Sequence, residues 1–357
     1  MRAELLENLL SLLRGPLPSP EVVLMPDFYL DHFVKFEGEL EAFAKSLREM
    51  AERGGGNFPM TAQAIMRGGN AANTAAALSK LGGRPYLVAK ADELGLWFLE
   101  RRSGLKGPEL RGVKASGRQS MTVALELRYG GRLINLMIND PGPVRDFSPS
   151  DLDEDDVEAV RRADFVCVLN WAQNLRGTEL IQEVFGLAKR EGVGKTFLDT
   201  GDPSPKRDEI KVLLKEVLGR GLVDVWSLNE NEAKWYSSAM GFHATDAPCF
   251  EMGKFMHEEL GVIIDLHTSD FSSTHGPGGD WIVNSLPVTP LRKTGAGDAW
   301  NAADILGHSM RLDPELRLAL SNAAASYYIS NEEGRHASAE DLRAFLEGFL
   351  KGPCKLY

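Results

Sequence analysis

Residues 294–303 read TGAGDAWNAA, and this stretch predicts a tight turn that leads into a helix. Gly295, Ala296 and Gly297 are small, so they leave backbone N–H groups uncovered at the helix N-terminus, where the helix dipole favours negative charge. We expect these groups to stabilise an anion such as a phosphoryl group in transfer. The Asp298 carboxylate could accept the proton of an attacking hydroxyl. The alternative is a glycine-rich turn in which Asp298 only caps the helix.

Upstream of this turn, from about residue 150, helix-length and strand-length patterns alternate. A predicted helix at 150–162 precedes the first of several short apolar strands, and these strands are 165–169, 196–199, 223–228 and 262–266. Short apolar strands separated by helices indicate βαβ units and a parallel sheet. The predicted fold class is therefore α/β, with a central, mostly parallel sheet flanked by helices. Ligands of such sheets bind at the carboxyl ends of the strands.

Two further segments predict a small β-strand lid. Residues 28–37 alternate between two faces with a period of two, as a strand does. Residues 117–140 contain two more alternating runs joined by Gly130-Gly131, which is a hairpin signal. We expect these strands to cover one edge of the domain. Their alternating faces would also permit a homodimer formed through the lid strands.

The composition is that of a globular enzyme, with 357 residues of which 43% are hydrophobic and 25% charged. A formal net charge of -11, without a basic stripe, argues against a nucleic-acid partner. We expect no membrane partner and a cytoplasmic location, because no apolar run could span a bilayer and Glu4 and Glu7 interrupt any signal peptide. Three scattered cysteines, Cys167, Cys249 and Cys354, argue against a disulfide framework or a structural zinc site.

The N-terminal segment has a helical pattern of its own. Leucines between residues 5 and 13 recur at helical spacing, and Gly15-Pro16 would end that helix. We read residues 1–20 as an amphipathic helical extension and residues 21–357 as one α/β domain. The apolar face of the helix either packs on the chain's own domain or contacts a partner.

A second glycine motif carries a family resemblance. Residues 68–73, GGNAAN, lead into a predicted helix of small residues, and this segment resembles the N-terminal signature of the ribokinase-like (PfkB) carbohydrate and nucleoside kinases. TGAGDAWNA at 294–302 resembles their C-terminal signature. Other features match the family in the same order: the early aspartates, the lid hairpin, Asn229-Glu230-Asn231-Glu232 and Asn322-Ala323-Ala324-Ala325. The resemblance runs from about residue 21 to 350 and implies that residues 21–357 form a ribokinase-like α/β kinase domain.

The resemblance also implies the reaction. It implies phosphoryl transfer from ATP or ADP, with Mg²⁺, to a hydroxyl of a small sugar-type acceptor that contains ribose: ribose itself, ribose 1-phosphate or a nucleoside. Asp298 would be the base, and residues 295–297 would form the anion hole. The residues it implies for the acceptor are Asp27, Asp31, Gly68, Gly69 and Asn73. Arg67, beside this motif, could bind a phosphate already on the acceptor, or it could be a surface arginine.

Metal and nucleotide contacts follow from the same resemblance. Asn229 and Glu232 match an NxxE element that arranges magnesium and its waters. They also suit a helix N-cap followed by a first-turn acid, and both roles can hold together. The positions implied for the nucleotide are Thr268, Thr294 and Asn322, and the charge of Arg292 makes it a further candidate.

Arg292 is the clearest departure from the family pattern. Members activated by a monovalent cation often carry Asp at this position, two residues before the threonine of the anion-binding turn. A fixed positive charge could replace the bound potassium ion, or it could contact a nucleotide phosphate. We therefore predict no potassium requirement.

Two other classes of function are alternatives to a kinase. The first is a non-catalytic sugar- or nucleotide-binding sensor on the same fold. Asp298, Gly295 and Gly297 argue against it, because a sensor needs no base. The second is a dinucleotide oxidoreductase, which is disfavoured because no GxGxxG follows the first predicted strand.

Overall fold

The computed structural model describes residues 2–58, 61–243, 247–292 and 294–351, so Cys354 lies outside it. The strands are β1 (Glu21–Met25), β2 (Tyr29–Glu39), β3 (Ala62–Gly68), β4 (Arg84–Leu87), β5 (Ala89–Ala91), β6 (Val113–Ala115), β7 (Met121–Tyr129), β8 (Arg132–Asp140), β9 (Phe165–Leu169), β10 (Lys195–Asp199), β11 (Val225–Asn229), β12 (Ile263–His267), β13 (Phe271–Gly276) and β14 (Gly279–Asn284). The helices are α1 (Ala3–Leu12), α2 (Leu40–Glu52), α3 (Asn70–Lys80), α4 (Glu93–Arg102), α5 (Glu154–Arg162), α6 (Gly177–Glu191), α7 (Ile210–Glu216), α8 (Glu230–Ala239), α9 (Cys249–Leu260), α10 (Ala296–Ser309), α11 (Pro314–Ile329) and α12 (Ala339–Lys351).

The central sheet has eight strands in the order β14-β13-β12-β11-β10-β9-β1-β4. Within this order, the neighbouring strands from β12 through β11, β10, β9 and β1 to β4 all pair in parallel. At the other edge, β13 pairs antiparallel with β12, and β14 pairs antiparallel with β13. The predicted α/β class with a mostly parallel sheet is confirmed. The four apolar strands predicted after residue 150 correspond to β9, β10, β11 and β12.

Helices cover both faces of the sheet, because the strand side chains alternate between two hydrophobic cores. Val22 and Leu24 of β1 enter one core, which also holds buried residues of α3, α10, α11 and α12. Val23 and Met25 enter the other core, with buried residues of α5, α6, α8 and α9. Continuous apolar strands such as β9 are therefore buried on both faces.

Helix α1 contributes to the first of these cores. It packs against α11 and α12, and Leu5, Leu6, Leu9 and Leu10 are buried there. Its leucine stripe is thus covered by the chain's own domain. Among the described residues, none of the helices is both long enough and apolar enough to cross a membrane.

A second sheet of four strands, in the order β3-β2-β7-β8, forms the lid. Strands β2, β7 and β8 fall in the segments predicted for it, whereas β3 was not predicted. Paired residues divide the sheet into two faces. One row is Met66, Asp31, Thr122 and Asn139, and the next row is Ile65, His32, Val123 and Ile138.

A buried ionic cluster joins β12 to α10 and α11. Arg317 donates to both oxygens of Asp265, to Asp304 and to Thr274. His308 contacts the Asp265 carboxylate at 2.9 Å. Although burial favours the neutral acid, Arg317 and His308 hold the pKa of Asp265 well below its usual range. The cluster anchors the helix that carries the 294–303 turn.

Candidate active site

Two cavities open at the carboxyl ends of the parallel strands. The small cavity, of about 290 Å³, lies under the lid. The large cavity, of about 950 Å³, lies between the ends of β11 and β12, the segment after β14, and α11. Asn229, His267 and Gly297 line both cavities. The N-terminus of α10 therefore lies where the two cavities meet.

The turn before α10 requires glycine. Gly295 has a φ of 89°, which L-residues with a side chain rarely adopt. A Cβ at this position would lie 2.5 Å from the Tyr328 hydroxyl oxygen. The tight turn that the sequence predicts is thus present, and helix α10 begins at Ala296 with its N-terminus towards the cavities.

Asp298, the candidate base, lies in the first turn of α10 and lines the small cavity. Its Oδ2 accepts a hydrogen bond of 2.9 Å from Nδ2 of Asn73. Burial, with further repulsion from Asp199 and Asp27, raises the pKa of Asp298 well above its usual value, against the effects of Asn73 and Arg67. A carboxylate with a raised pKa is a stronger proton acceptor than an exposed one.

Arg67 does not line the small cavity, and its guanidinium is already bonded. Its Nε donates to Oδ1 of Asn73 at 2.9 Å, and its other nitrogens meet the Ser103 carbonyl oxygen and His336. The prediction that Arg67 binds a phosphate on the acceptor is therefore not supported by the geometry. Instead, the side chain fixes the amide orientation of Asn73, which in turn contacts Asp298.

Asp31 and Gly68 form a close pair at the lid side of the small cavity. A Cβ on Gly68 would lie 2.1 Å from Oδ1 of Asp31, so the glycine makes room for that carboxylate. Asp31 lines the cavity, as a residue that binds the acceptor must. Burial raises its pKa to about 6, although nearby Thr122 opposes the shift.

Asp27 has a different position from the one predicted. It is fully buried and does not line the small cavity. Its carboxylate accepts the backbone N–H groups of Asn70 and Ala71, at 2.8 and 2.7 Å, and Nδ2 of Asn170 at 2.8 Å. Asp27 thus caps α3 and leaves its oxygens little capacity for a ligand. Gly69, in contrast, does line the cavity. Its φ is 90°, and a Cβ at this position would lie too close to the backbone of Asp27.

Acidic groups cluster on the opposite wall of the small cavity. Asn229 and Glu232 form the N-cap arrangement given above as one of their two possible roles: Asn229 Nδ2 and N donate to the two Glu232 oxygens. Burial and repulsion from Asp199 raise the pKa of Glu232 well above its usual value. Asp199 and Asp202 line the same wall. This donor set fits Mg²⁺, because Mg²⁺ prefers oxygen ligands and a cation would relieve the repulsion. The metal role of Asn229 and Glu232 stays a prediction.

The predicted nucleotide residues divide between the cavities. Thr268, Arg292 and Asn322 line the large cavity, whereas Thr294 lines the small one. Thr294 Oγ1 accepts a hydrogen bond from Asn135 of the lid strand β8, so it joins the lid to the turn. Asn322 already bonds Ser272, Trp300 and the Val283 carbonyl. Its amide supports the cavity wall.

Arg292 is buried between aromatic rings. Its guanidinium carbon lies 4.9 Å from the Tyr328 ring centroid and 5.7 Å from that of Phe33. Nη1 reaches the Glu332 carbonyl oxygen at 3.5 Å. The side chain therefore places a fixed positive charge between the turn before α10 and the segment after α11.

Several lining residues escaped the sequence analysis. The small cavity is also lined by polar side chains from strand ends, the lid and the start of α3, namely Asn70, Thr122, Asn139, Asn170 and Gln173. Asn170 and His267 come at or just after the ends of predicted strands, so the rule that ligands bind at carboxyl ends could have flagged them. Thr122 and Asn139 become neighbours only through lid pairing.

Comparisons with known proteins bear on the family and the fold. A family model described as pfkB family carbohydrate kinase matches residues 59–341. No curated protein matches the sequence.

Solved structures with the same fold cover most of the chain. The Arabidopsis thaliana ribokinase complexed with ribose and ATP has a TM-score of 0.69 at 20% identity, over 92% of this chain and 99% of that one. A Thermotoga maritima 2-dehydro-3-deoxygluconokinase has a TM-score of 0.75 at 14% identity, over 94% and 100%. The Cryptococcus neoformans var. grubii ribokinase in complex with ADP has a TM-score of 0.69 at 15% identity, over 92% and 100%.

Proposed function

Because the chain belongs to the pfkB family of carbohydrate kinases, we propose that it transfers a phosphoryl group from ATP or ADP to a hydroxyl of a small, ribose-containing acceptor. The observation that carries the proposal is the position of α10. Its N-terminus, with Asp298, lies at the junction of a small polar cavity and a larger one. Phosphoryl transfer needs an acceptor on one side of an anion-binding site and a donor on the other.

In this mechanism the acceptor occupies the small cavity, with Asp31 holding its hydroxyls. Asp298 takes the proton of the attacking hydroxyl, and Asn73 orients its carboxylate. Backbone N–H groups of residues 295–297 stabilise the charge on the phosphoryl group. Magnesium, held near Asp199, Asp202, Asn229 and Glu232, would neutralise donor phosphate charge. The lid strands exclude water, which limits hydrolysis of the donor.

The lining of the small cavity favours an uncharged acceptor. Among its described lining residues there is no lysine or arginine, while Asp31, Asp199, Asp202, Glu232 and Asp298 are acidic. A phosphate on the acceptor would find no cationic side chain in this lining, and Asp31 and Asp298 would repel it. Of the three acceptors considered, we therefore propose ribose or a nucleoside over ribose 1-phosphate.

The large cavity is the proposed site of the nucleotide. Trp300, Val288 and Ile329 provide apolar wall, and Lys234 and Arg292 provide positive charge. The relatives solved with ATP and with ADP support an adenine nucleotide. A cavity with both an apolar wall and cations suits a base and its phosphates.

A kinase screen tests the proposal. The full-length protein with Mg²⁺ would be given ATP or ADP, crossed with ribose, ribose 1-phosphate and several nucleosides, and phosphorylated product would be detected directly. Turnover of ribose or one nucleoside is expected. Saturable nucleotide binding without turnover of any acceptor would instead favour the sensor function.

We further predict that the activity does not depend on potassium. The Arg292 guanidinium is held against Tyr328 and the Glu332 carbonyl, so a fixed cation already stands next to the anion-binding turn. The rate should be the same in potassium chloride and in tetramethylammonium chloride at equal ionic strength. A strong rise on adding potassium would contradict this role for Arg292.

We also propose that the lid strands form a homodimer. One row of paired residues across the lid is Ile65, His32, Val123 and Ile138. The three apolar side chains of this row are exposed: Ile65 by 57%, Val123 by 38% and Ile138 by 66%. An exposed row in which three of the four residues are apolar is typical of an interaction surface. Light scattering should give twice the chain mass, and Ile138→Asp should give a folded monomer. A wild-type monomer at all concentrations would refute the proposal.

A further inference from the structure

His267 lies at the junction of the two cavities. It is the last residue of β12 and pairs in register with Asn229, the last residue of β11. Its ring lies 5.1 Å from the Trp300 ring, centroid to centroid. It also packs on the first turn of α10, where a Cβ at Gly297 would be 3.1 Å from Cε1 and 3.9 Å from Nδ1 of His267.

The protonation of this ring can be derived from its surroundings. Its Nε2 is buried and has no hydrogen-bond partner within the described part of the chain. A buried N–H without an acceptor is rarer than an unpaired acceptor, so the tautomer with its proton on Nδ1 is favoured. The ring then offers one N–H donor near the start of α10.

We propose that His267 is a further binding residue for the phosphoryl group in transfer, to which its Nδ1–H donates a hydrogen bond. The inference rests on the proposed kinase function. Among the residues that the structure describes, three line both cavities: Asn229, His267 and Gly297. The side-chain amide of Asn229 is already bonded to Glu232 and to the start of α8, and Gly297 has no side chain. His267 is thus the side chain at the junction whose donor is free for a ligand.

A neutral donor suits this position. A phosphoryl group passing from the large to the small cavity carries charge on its equatorial oxygens. The α10 N–H groups approach it from one side, and the imidazole N–H would approach from the end of β12. A preorganised N–H in a site shielded from water stabilises such charge strongly.

The test compares two substitutions in the full-length protein. His267→Phe keeps a ring on Trp300 but removes the donor, while His267→Asn keeps an amide near the position of Nδ1. We expect His267→Phe to lower kcat at saturating substrates by about 10- to 100-fold, the usual effect of losing a hydrogen bond to a charged group. His267→Asn should retain most of the activity.

Calorimetric titration of ATP, ADP and AMP, without acceptor, gives a second readout. His267→Phe should weaken the binding of the nucleotide that acts as donor. It should leave unchanged the binding of the nucleotide that lacks the transferred phosphate. Equal activity of His267→Phe and wild type, or equal losses in both variants, would overturn the proposal. If the wild type binds nucleotide but phosphorylates nothing, the kinase proposal fails. The role of His267 is then decided by whether His267→Phe weakens ATP or ADP more than AMP, and equal effects on all three would overturn it.

Discussion

Replacing Asp298 with asparagine should lower kcat by about 10²- to 10⁴-fold, the range that a general base contributes. Asparagine has the same shape, and its Oδ1 can still accept the hydrogen bond from Asn73 that Asp298 accepts at 2.9 Å. The variant should therefore bind nucleotide as the wild type does. Initial rates at saturating substrates, together with nucleotide titrations, measure the two effects separately.

The pH dependence of the rate gives a second measure of this role. Asp298 must be ionised to take a proton, and burial raises its pKa. The wild-type kcat should therefore rise with pH, with its midpoint above the value of about 3.9 for an exposed aspartate, and be lost as pH falls. In Asp298→Asn this rise should disappear.

A matched control is available at another helix N-terminus. Asp313 is exposed, and its carboxylate caps α11 by accepting a hydrogen bond of 3.0 Å from the backbone N–H of Glu315. Asp313→Asn makes the same chemical change away from the cavities and should leave the rate unchanged. An Asp298→Asn enzyme as active as this control would exclude Asp298 as the base.

Gly68→Ala should reduce kcat/KM for the acceptor by about 10- to 100-fold, the cost of a lost hydrogen bond to a charged group. The added Cβ would lie 2.1 Å from Oδ1 of Asp31, so the carboxylate must move. Because Asp31 is buried and lines the small cavity, its carboxylate would have to leave its place in that cavity. The donor KM should change little, since Asp31 does not line the large cavity.

Two further variants separate this effect from general crowding. Gly117→Ala adds a methyl group where nothing lies within 4 Å, and should leave both stability and kcat/KM unchanged. Asp31→Asn removes the charge without crowding and should reproduce the acceptor effect. If Gly68→Ala raised the donor KM and the acceptor KM equally, displacement of Asp31 would not be the cause.

The parts of the fold that the sequence predicted depend on local patterns. Strands such as β9, with five consecutive buried apolar residues, stand out in any sequence. Strand β13 does not, because four of its six residues, Ser272, Ser273, Thr274 and His275, are polar and yet buried. Their burial is possible only because distant residues bond them, Asn322 to Ser272 and Arg317 to Thr274. Strand β3 was missed because it is largely exposed.

The family, the α/β class and the small-molecule kinase activity predicted from the sequence are confirmed, because they depend on motifs that are continuous in the chain. In TGAGDAWNA and GGNAAN, the glycines, amides and carboxylate are close together in the sequence. Each motif forms the N-terminus of a helix, where backbone N–H groups can bind an anion. The roles of the site residues stay predictions. The structure nevertheless separates Asp31, which lines the small cavity, from Asp27, which caps α3.

By itself, the sequence determined where α3 and α10 begin, where the central strands β9 to β12 lie and which residue is the candidate base, because short-range patterns and steric requirements decide those features. Only the tertiary structure decided which polar groups are free. Arg67 is bonded to Asn73 and His336, partners 6 and 269 residues away, whereas His267 lines both cavities. Whether a polar group is available to a ligand depends on every element packed around it, and no local pattern contains that information.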